Sequence, residues 1–446
     1  MRAGTPPRAL VVGLGESGIA AARLLHSQGF RVIANDRAPA ADLADSLAKL
    51  PPDTETVLGD HPLRTLDGVS LVVASPGAAW NLPLFEEARS RGIEVIAEVE
   101  LAFRTLSRVP LAGVTGSNGK TTVTQLLGEI CLAAGRRTGV GGNIGHAACA
   151  LALEGPWDVL VWELSSFQLE GCTTLRPTVG VLLNLSADHL DRHPNLAAYR
   201  VAKERLFHFQ GPGDFAVLNA DDISLAGIET RARQVRFSLR DPRAEAHLAD
   251  GMLVLDAEPL LPRDELRLFG DHNVANALAA ALAASRLGMP REAIRAALTK
   301  FTAPPHRHQL VAEGRGVRWI DDSKGTNIGA TAAGLSAYPP GSIHLILGGL
   351  AKGQDFRQLR TAVEGRVACI YLIGEAAGEI EAALLGAAPL ESCGTLEEAV
   401  RRAAGKARLG EVVLLSPACA SFDQFRDYKH RGDEFARLAR TAAGGP

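Results

Sequence analysis

Lysine is scarce in this chain. Of its 47 basic side chains only eight are lysines, and the rest are arginines. Four of the eight, Lys120, Lys203, Lys324 and Lys352, fall inside the motifs described below. Where arginine is the default cation, a retained lysine points to a need for its compact charge or its amine chemistry. Net charge is lacking too. A formal balance of −3 offers no basic surplus to a nucleic acid or an anionic membrane surface. No stretch of about 18 uncharged apolar residues occurs, so no membrane span is expected. The six cysteines, Cys131, Cys149, Cys172, Cys369, Cys393 and Cys419, form no CxxC pair and sit among apolar or small residues. They read as reduced, buried thiols of a cytoplasmic protein. The opening MRAGTPPRALVVGLG has two prolines and then a strand-length apolar run, which is not the pattern of a secretory leader.

What is present is glycine at the ends of apolar runs. The clearest case is GVTGSNGKTT, residues 113–122, between a strand expected over 109–114 and a helix expected over 123–134. Such a turn aims backbone N–H groups at one point, and the helix N-terminus adds partial positive charge, so a phosphate chain fits there. Lys120 would reach the outer phosphates and the Thr121 hydroxyl a Mg²⁺ ion. The common Walker spacing asks for glycine where Val114 stands, so this loop is a variant. Residues 13–18, GLGESG, form a second glycine turn between a strand at 8–14 and a helix running to Gly29, with Asp36-Arg37 at the end of the next strand. Taken alone this fingerprint suggests NAD. The first unit stops near residue 98, too short for the two mononucleotide halves of a dinucleotide fold.

Further strand ends carry Asn143, Glu163 and His189, and strand ends are where open α/β sheets bind ligands. Glu163 suits Mg²⁺, which prefers carboxylate oxygen. Asn273 and Asn276, three apart at the start of a helix, either cap it or meet a nucleotide base. After a linker at 302–308 a third α/β unit repeats the pattern, with DDSKGTN (321–327), GGLAK (348–352) and SPACASFDQF (416–425) following strands. Lys203 lies on a helix expected over 195–207, on the face of Leu196, Tyr199 and Leu206. Either its stem packs while the head reaches solvent or a carboxylate, or burial leaves a neutral amine that can take up CO₂.

Taken together, TGSNGKTT, GGNIG, ELSSFQLE, DHLDRH, PHR, DSKGTN and SPACASFDQF resemble the Mur ligases, the ATP-dependent amide-forming enzymes of peptidoglycan assembly, and within them the branch that adds D-glutamate. The resemblance covers nearly the whole chain. It implies an α/β protein of three domains: a Rossmann-like N-terminal domain (1–98), a central P-loop ATPase domain (99–301) and a C-terminal Rossmann-like domain (302–446). It implies that UDP-N-acetylmuramoyl-L-alanine lies along Gly15, Glu16, Ser17, Asp36, Arg37, Ser75, Asn143 and His189. ATP would lie on Ser117, Asn118, Gly119, Lys120, Thr121, Thr122, Asn276, Arg307, Asp322 and Lys324. D-Glutamate would be held by Thr326, Lys352, Ser421, Phe422 and Tyr428. Thr121 and Glu163 would hold one Mg²⁺, and His189 with a carbamylated Lys203 a second. Lys120, Glu163, His189 and Lys203 would carry the catalysis of a single-chain enzyme in the cytoplasm.

Three other readings stay open at this point. An NAD-dependent dehydrogenase leaves the glycine loop at 113–122 and the third unit unexplained. A nucleotide-gated binding protein leaves the carboxylate and lysine clusters without a task. A sister ligase for another amino acid differs only in the last substrate.

Overall fold

The computed structural model describes residues 6–186, 192–268 and 270–444. They form three α/β units in series. In the first, β1 (Arg8–Val12), β2 (Arg31–Asp36), β3 (Glu55–Leu58), β4 (Val69–Ala74) and β5 (Glu94–Ala97) make a parallel sheet in the order β3-β2-β1-β4-β5. Helices cover both faces, so the central strands read as continuous apolar runs with Leu10, Val11, Val72 and Val73 fully buried. The order reverses between β1 and β4, where crossovers leave to opposite sides and a crevice opens.

The second unit holds β6 (Leu111–Thr115), β7 (Thr138–Gly142), β8 (Val159–Glu163), β9 (Val179–Leu182), β10 (Phe215–Asn219), β11 (Arg233–Ser238), β12 (Ala246–Ala249), β13 (Met252–Leu255) and β14 (Glu258–Pro262). They lie in the order β14-β13-β12-β11-β10-β9-β6-β8-β7, parallel from β7 through to β12 and closed by an antiparallel hairpin. The helix Lys120–Ala133 packs against the alanine-rich helix Asp271–Arg286. Residues 277–284 of the latter are fully buried, and their small side chains let the two backbones come close.

In the third unit β15 (Gln309–Gly314), β16 (Val317–Asp321), β17 (Ile343–Gly348), β18 (Val367–Ile373), β19 (Leu390–Gly394) and β20 (Val412–Leu415) take the order β15-β16-β20-β17-β18-β19, with β15 alone antiparallel. No helix among the described residues is long and apolar enough to cross a membrane.

The sequence reading missed β3, β12, β14, β15 and β19. β3, β14, β15 and β19 form sheet edges, and β12 is a four-residue strand beside the closing hairpin. Edge strands are partly solvated, and residues such as Glu55 or Glu391 break any apolar run. The helix after the glycine loop starts at Lys120, three residues earlier than expected, so Lys120, Thr121 and Thr122 form its first turn. Leu196 is 41% exposed: it is the first residue of the helix Leu196–Glu204 and projects past the packed face, whereas Tyr199, Lys203 and Leu206 are buried. Of the cysteines, Cys393 is only half-buried, because it lies on edge strand β19.

Two neighbouring glutamates at the head of the helix Glu98–Leu106 are both buried but served differently. Glu100 accepts from Arg104 Nε at 2.9 Å, Leu175 N at 3.0 Å and Thr174 Oγ1 at 2.5 Å. Glu98 accepts from Cys149 N at 2.6 Å through one oxygen, while its other oxygen is buried without a hydrogen bond. Burial pushes the Glu98 carboxyl up to about 7.

Candidate functional site

Two cavities meet at one side chain. The first, about 640 Å³, lies between the second and third units. Its floor is the glycine loop. Gly119 has φ +85°, and a Cβ there would come within 2.4 Å of Asn276 Oδ1, so the position needs glycine for its backbone and for its space. Asn184 braces the loop, its carbonyl accepting from Ser117 N at 3.0 Å and its side chain from Asn118 N at 2.8 Å. Lys120 folds over the loop, donating to the carbonyls of Gly116 and Ser117 at 2.7 and 2.8 Å. No side chain caps the helix Lys120–Ala133, which leaves its first N–H groups facing the cavity.

From this floor a hydrogen-bond chain runs outward. Arg307 Nη2 donates to Thr121 Oγ1 at 2.5 Å, Thr121 donates to Glu163 Oε2 at 2.6 Å, and Asn143 Nδ2 donates to Glu163 Oε1 at 2.8 Å. Glu163 is 3% exposed. A buried carboxylate and a hydroxyl aimed at each other form an oxygen donor set that fits a hard cation such as Mg²⁺. Among the described residues no group of three or more His, Cys, Asp and Glu gathers.

Lys203 is buried to 1% exposure. Its Nζ donates to Gly116 O at 3.0 Å and Thr115 Oγ1 at 3.4 Å and lies 4.4 Å from the Tyr199 ring centroid. The head therefore does not reach solvent. Lys120 and Lys203 converge on one carbonyl oxygen, that of Gly116, and two ammonium groups at that separation repel. His189 lies outside the described residues.

Across the cavity stand the loops of the third unit. Burial raises the Asp322 carboxyl to about 7, opposed by the hydrogen bond from Ser416 and by Arg307. Burial, and after it Arg307, Lys120 and Lys352, lower Lys324 to about 8, with Glu163 opposing. Asn327 caps the helix Ile328–Leu335 and donates to Asn118 Oδ1 at 3.1 Å, tying the third unit to the glycine loop. Asn273 and Asn276 both line this cavity. They do not cap their helix; Gly270 stands at the cap and Asn276 Nδ2 donates to Asn273 Oδ1 at 3.1 Å.

The residues expected to hold an amino acid are only partly gathered. Thr326 and Lys352 line the cavity, with Lys352 Nζ 3.4 Å from Thr326 Oγ1. The Tyr428 ring lies under Lys324 Nζ at 4.1 Å. Ser421 is buried behind them. Phe422 is 69% exposed and does not line the cavity, since its turn presents alternate side chains to opposite sides. Arg431, which the sequence reading passed over, is 1% exposed and donates to Ser323 Oγ and O and to the Cys419 and Ala420 carbonyls. It binds two site loops together. Nothing in DYKHRGDEF distinguishes this arginine from its solvated neighbours except its place on the face of Phe435.

The second cavity, about 730 Å³, occupies the crevice of the first sheet and reaches to the second unit. Gly15, Glu16, Ser17, Asp36, Arg37, Ser75 and Asn143 all line it. Gly13 has φ +90°, and a Cβ on Gly18 would sit 1.8 Å from the Gly13 carbonyl oxygen. Asp36 accepts from Leu14 N at 2.7 Å and Ala38 N at 2.9 Å, and Ser75 Oγ donates to Gly13 O at 2.7 Å. The acid at the end of β2 thus shapes the turn. Asn143 lines both cavities.

Three family models match the chain in order: Mur ligase MurD-like, N-terminal domain (7–97), Mur ligase middle domain (114–284) and Mur ligase, glutamate ligase domain (306–419). A UDP-N-acetylmuramoylalanine--D-glutamate ligase from Anaeromyxobacter dehalogenans is 46% identical, over 98% of each chain. One of the same name from Myxococcus xanthus is 43% identical, over 97% of each. Among solved structures the fold is similar to MurF from Acinetobacter baumannii (TM-score 0.64, 17% identity, 96% of this chain and 93% of that one). It is also similar to a pseudomurein peptide ligase type C from Methanothermus fervidus (TM-score 0.61, 21% identity, 92% and 96%).

Proposed function

The chain belongs to the Mur ligase family, and from that premise we propose that it joins D-glutamate to UDP-N-acetylmuramoyl-L-alanine, consuming ATP and releasing ADP and phosphate. The observation that carries the reading is the shared wall of the two cavities. Asn143 and Thr121 grip the two oxygens of one carboxylate, Glu163. A substrate laid along the second cavity past Asn143 would bring its terminal carboxylate beside a phosphate chain on the glycine loop. The NAD reading fits this arrangement poorly, because the first sheet has five strands and its crevice runs to Asn143, which also lines the cavity over the loop 113–122.

A carboxylate is a poor electrophile at neutral pH, so it must be activated. In this reading the alanyl carboxylate attacks the γ-phosphorus of ATP, the bond to ADP breaks, and an acyl phosphate forms. The D-glutamate amine, having given up a proton, adds to the acyl carbon, and the tetrahedral intermediate expels phosphate. Lys120 neutralises charge on the transferring group, and positioning with electrostatics does the rest. Thr121 and Glu163 would hold Mg²⁺, and His189 with Lys203 as its carbamate a second, the ions supplying charge neutralisation on the phosphates. The burial of Lys203 supports a carbamate there, since burial disfavours the ammonium and leaves a neutral amine that can take up CO₂. Asn276, Arg307, Asp322 and Lys324 would hold the nucleotide, and Thr326, Lys352, Ser421 and Tyr428 the amino acid. Phe422 would join them only by turning inward.

We assign the domains to residues 1–98, 99–301 and 302–446; each sheet falls inside one of these spans. The working unit is taken as a single chain, since both cavities are lined from within it. The reaction is placed in the cytoplasm, where its nucleotides reside. The test is phosphate release against a panel of acceptors and amino acids. Release should require UDP-N-acetylmuramoyl-L-alanine, D-glutamate and Mg²⁺ together, with L-glutamate a poor substitute. Equal rates with L-alanine on the unsubstituted acceptor would assign the chain to a sister activity.

A further inference from the structure

The second cavity has an end that the residues assigned so far do not read. In the order β3-β2-β1-β4-β5 the glycine turn after β1 sits in the middle. Ser75, after β4, lies on one side of it, and the cavity continues that way to Asn143 and Gln168 of the second unit. Asn35 and Asp36, at the end of β2, and His61, beyond β3, lie on the other side. If a diphosphate rests on the turn and the acyl end of the substrate points to Glu163, the remaining end of the molecule, its base, falls toward His61.

The protonation pattern of His61 is set from behind. Asn35 is fully buried at the end of β2. Its Nδ2 spends both hydrogens on backbone carbonyls, Val57 O at 2.7 Å and Asp60 O at 2.8 Å. The amide orientation is thereby fixed, and Asn35 Oδ1 is left as an acceptor. It lies 2.6 Å from His61 Nδ1, which must therefore carry a hydrogen. In the neutral form of the ring, with Nδ1 the donor, Nε2 is the acceptor, and no described residue hydrogen-bonds to it. His61 lines the cavity.

We propose that His61 is a specificity residue that reads the base of the nucleotide-linked substrate, its Nε2 accepting the ring N3–H of a uracil. This rests on the reading of the second cavity as the UDP site. Uracil has one ring N–H free for this purpose. Cytosine has a lone pair at the same atom, and two lone pairs facing each other repel. The buried Asn35 holds the imidazole in the tautomer that accepts, so the preference is built into the fold and does not depend on the ring choosing a state on binding.

The test compares UDP and CDP, which differ only in the base, as ligands of the full chain, by calorimetry and by competition against the UDP-linked substrate. The unaltered chain should favour UDP by at least about tenfold. His61→Phe should bring the ratio to within about threefold, raise KM for the UDP-linked substrate about tenfold, and leave kcat within about twofold. His61→Gln, which keeps a donor toward Asn35 and can present its own oxygen or nitrogen, should fall between. Folding of each variant is checked by its melting temperature. A merely structural role would weaken UDP and CDP equally, so an unchanged UDP-to-CDP ratio in a folded His61→Phe overturns the proposal. If the unaltered chain binds neither nucleotide, the reading of the cavity itself fails. A unaltered chain that binds both equally refutes base reading and leaves the cavity assignment standing.

Discussion

Residues 13–18 and 113–120 each carry the chain from a parallel strand into a helix whose first N–H groups have no side-chain cap. They are finished differently. The first turn places Glu16 in the opening turn of its helix, has no lysine, and spends Leu14 N on Asp36. The second folds Lys120 across its own carbonyls, buries Thr121 against Glu163 and receives Arg307 from another unit. On the proposed function, the same backbone device serves two purposes. A phosphate that is only held needs N–H groups and space. A phosphoryl group that moves needs a mobile cation, a metal-binding pair and a lid. The presence of lysine and buried threonine, and not the glycines, separates a gripping site from a reacting one.

The comparison breaks most sharply at Lys120. Lys120→Ala should lower kcat about 10³-fold or more, with the melting temperature largely held, since the side chain lies half-buried at the cavity floor and not in a packed core. Near-normal ADP release from this variant would show the reacting site to lie elsewhere. Lys203→Ala should cost about 10²-fold, and a short carboxylic acid in the buffer should restore part of the rate by filling the space of a carbamate. Full activity in that variant would remove Lys203 from the mechanism.

At the other turn the effect should be on binding. Gly18→Ala drives a methyl group into the Gly13 carbonyl and should raise KM for the UDP-linked substrate about tenfold or more while ATP affinity is retained. A parallel loss of ATP affinity would mean that the two turns are not separate sites.

The smallest effect tests stability rather than chemistry. Glu98 titrates near 4.5 when unfolded and at about 7 when folded. Between these values the native state binds more protons than the unfolded one, so stability falls as pH rises through this window. From pH 5 to pH 8 the chain should lose on the order of 2 kcal/mol more than Glu98→Gln does. Urea melts at the two pH values measure the difference, and identical pH slopes would show Glu98 to be ordinarily solvated.

How legible was this in the chain? The central strands were readable because parallel strands buried on both faces leave unbroken apolar runs, as at 69–74 and 367–373. Edge strands such as Glu55–Leu58 were not, because half of each faces water. Glu163 and Asn143 could be nominated from their places at strand ends, but the bond between them joins residues 20 apart and depends on β7 pairing with β8. Phe422 stands outside the cavity while Ser421 is buried, because a motif states which residues stand together in sequence and not which way each side chain faces. Arg431 and His61 were invisible for a related reason: what each does is decided by partners distant in sequence, Ser323 and Asn35.

The eight lysines divide evenly. Lys49, Lys300, Lys406 and Lys429 are exposed, whereas Lys120, Lys203, Lys324 and Lys352 line the first cavity and are buried or half-buried. The protein therefore carries its own labelling standard. Acetylation followed by mass spectrometry would record four outer amines that any reagent reaches and four inner ones that answer to what fills the cavity, so the ratio of the two sets reads occupancy directly in a mixture, without purification or a coupled assay.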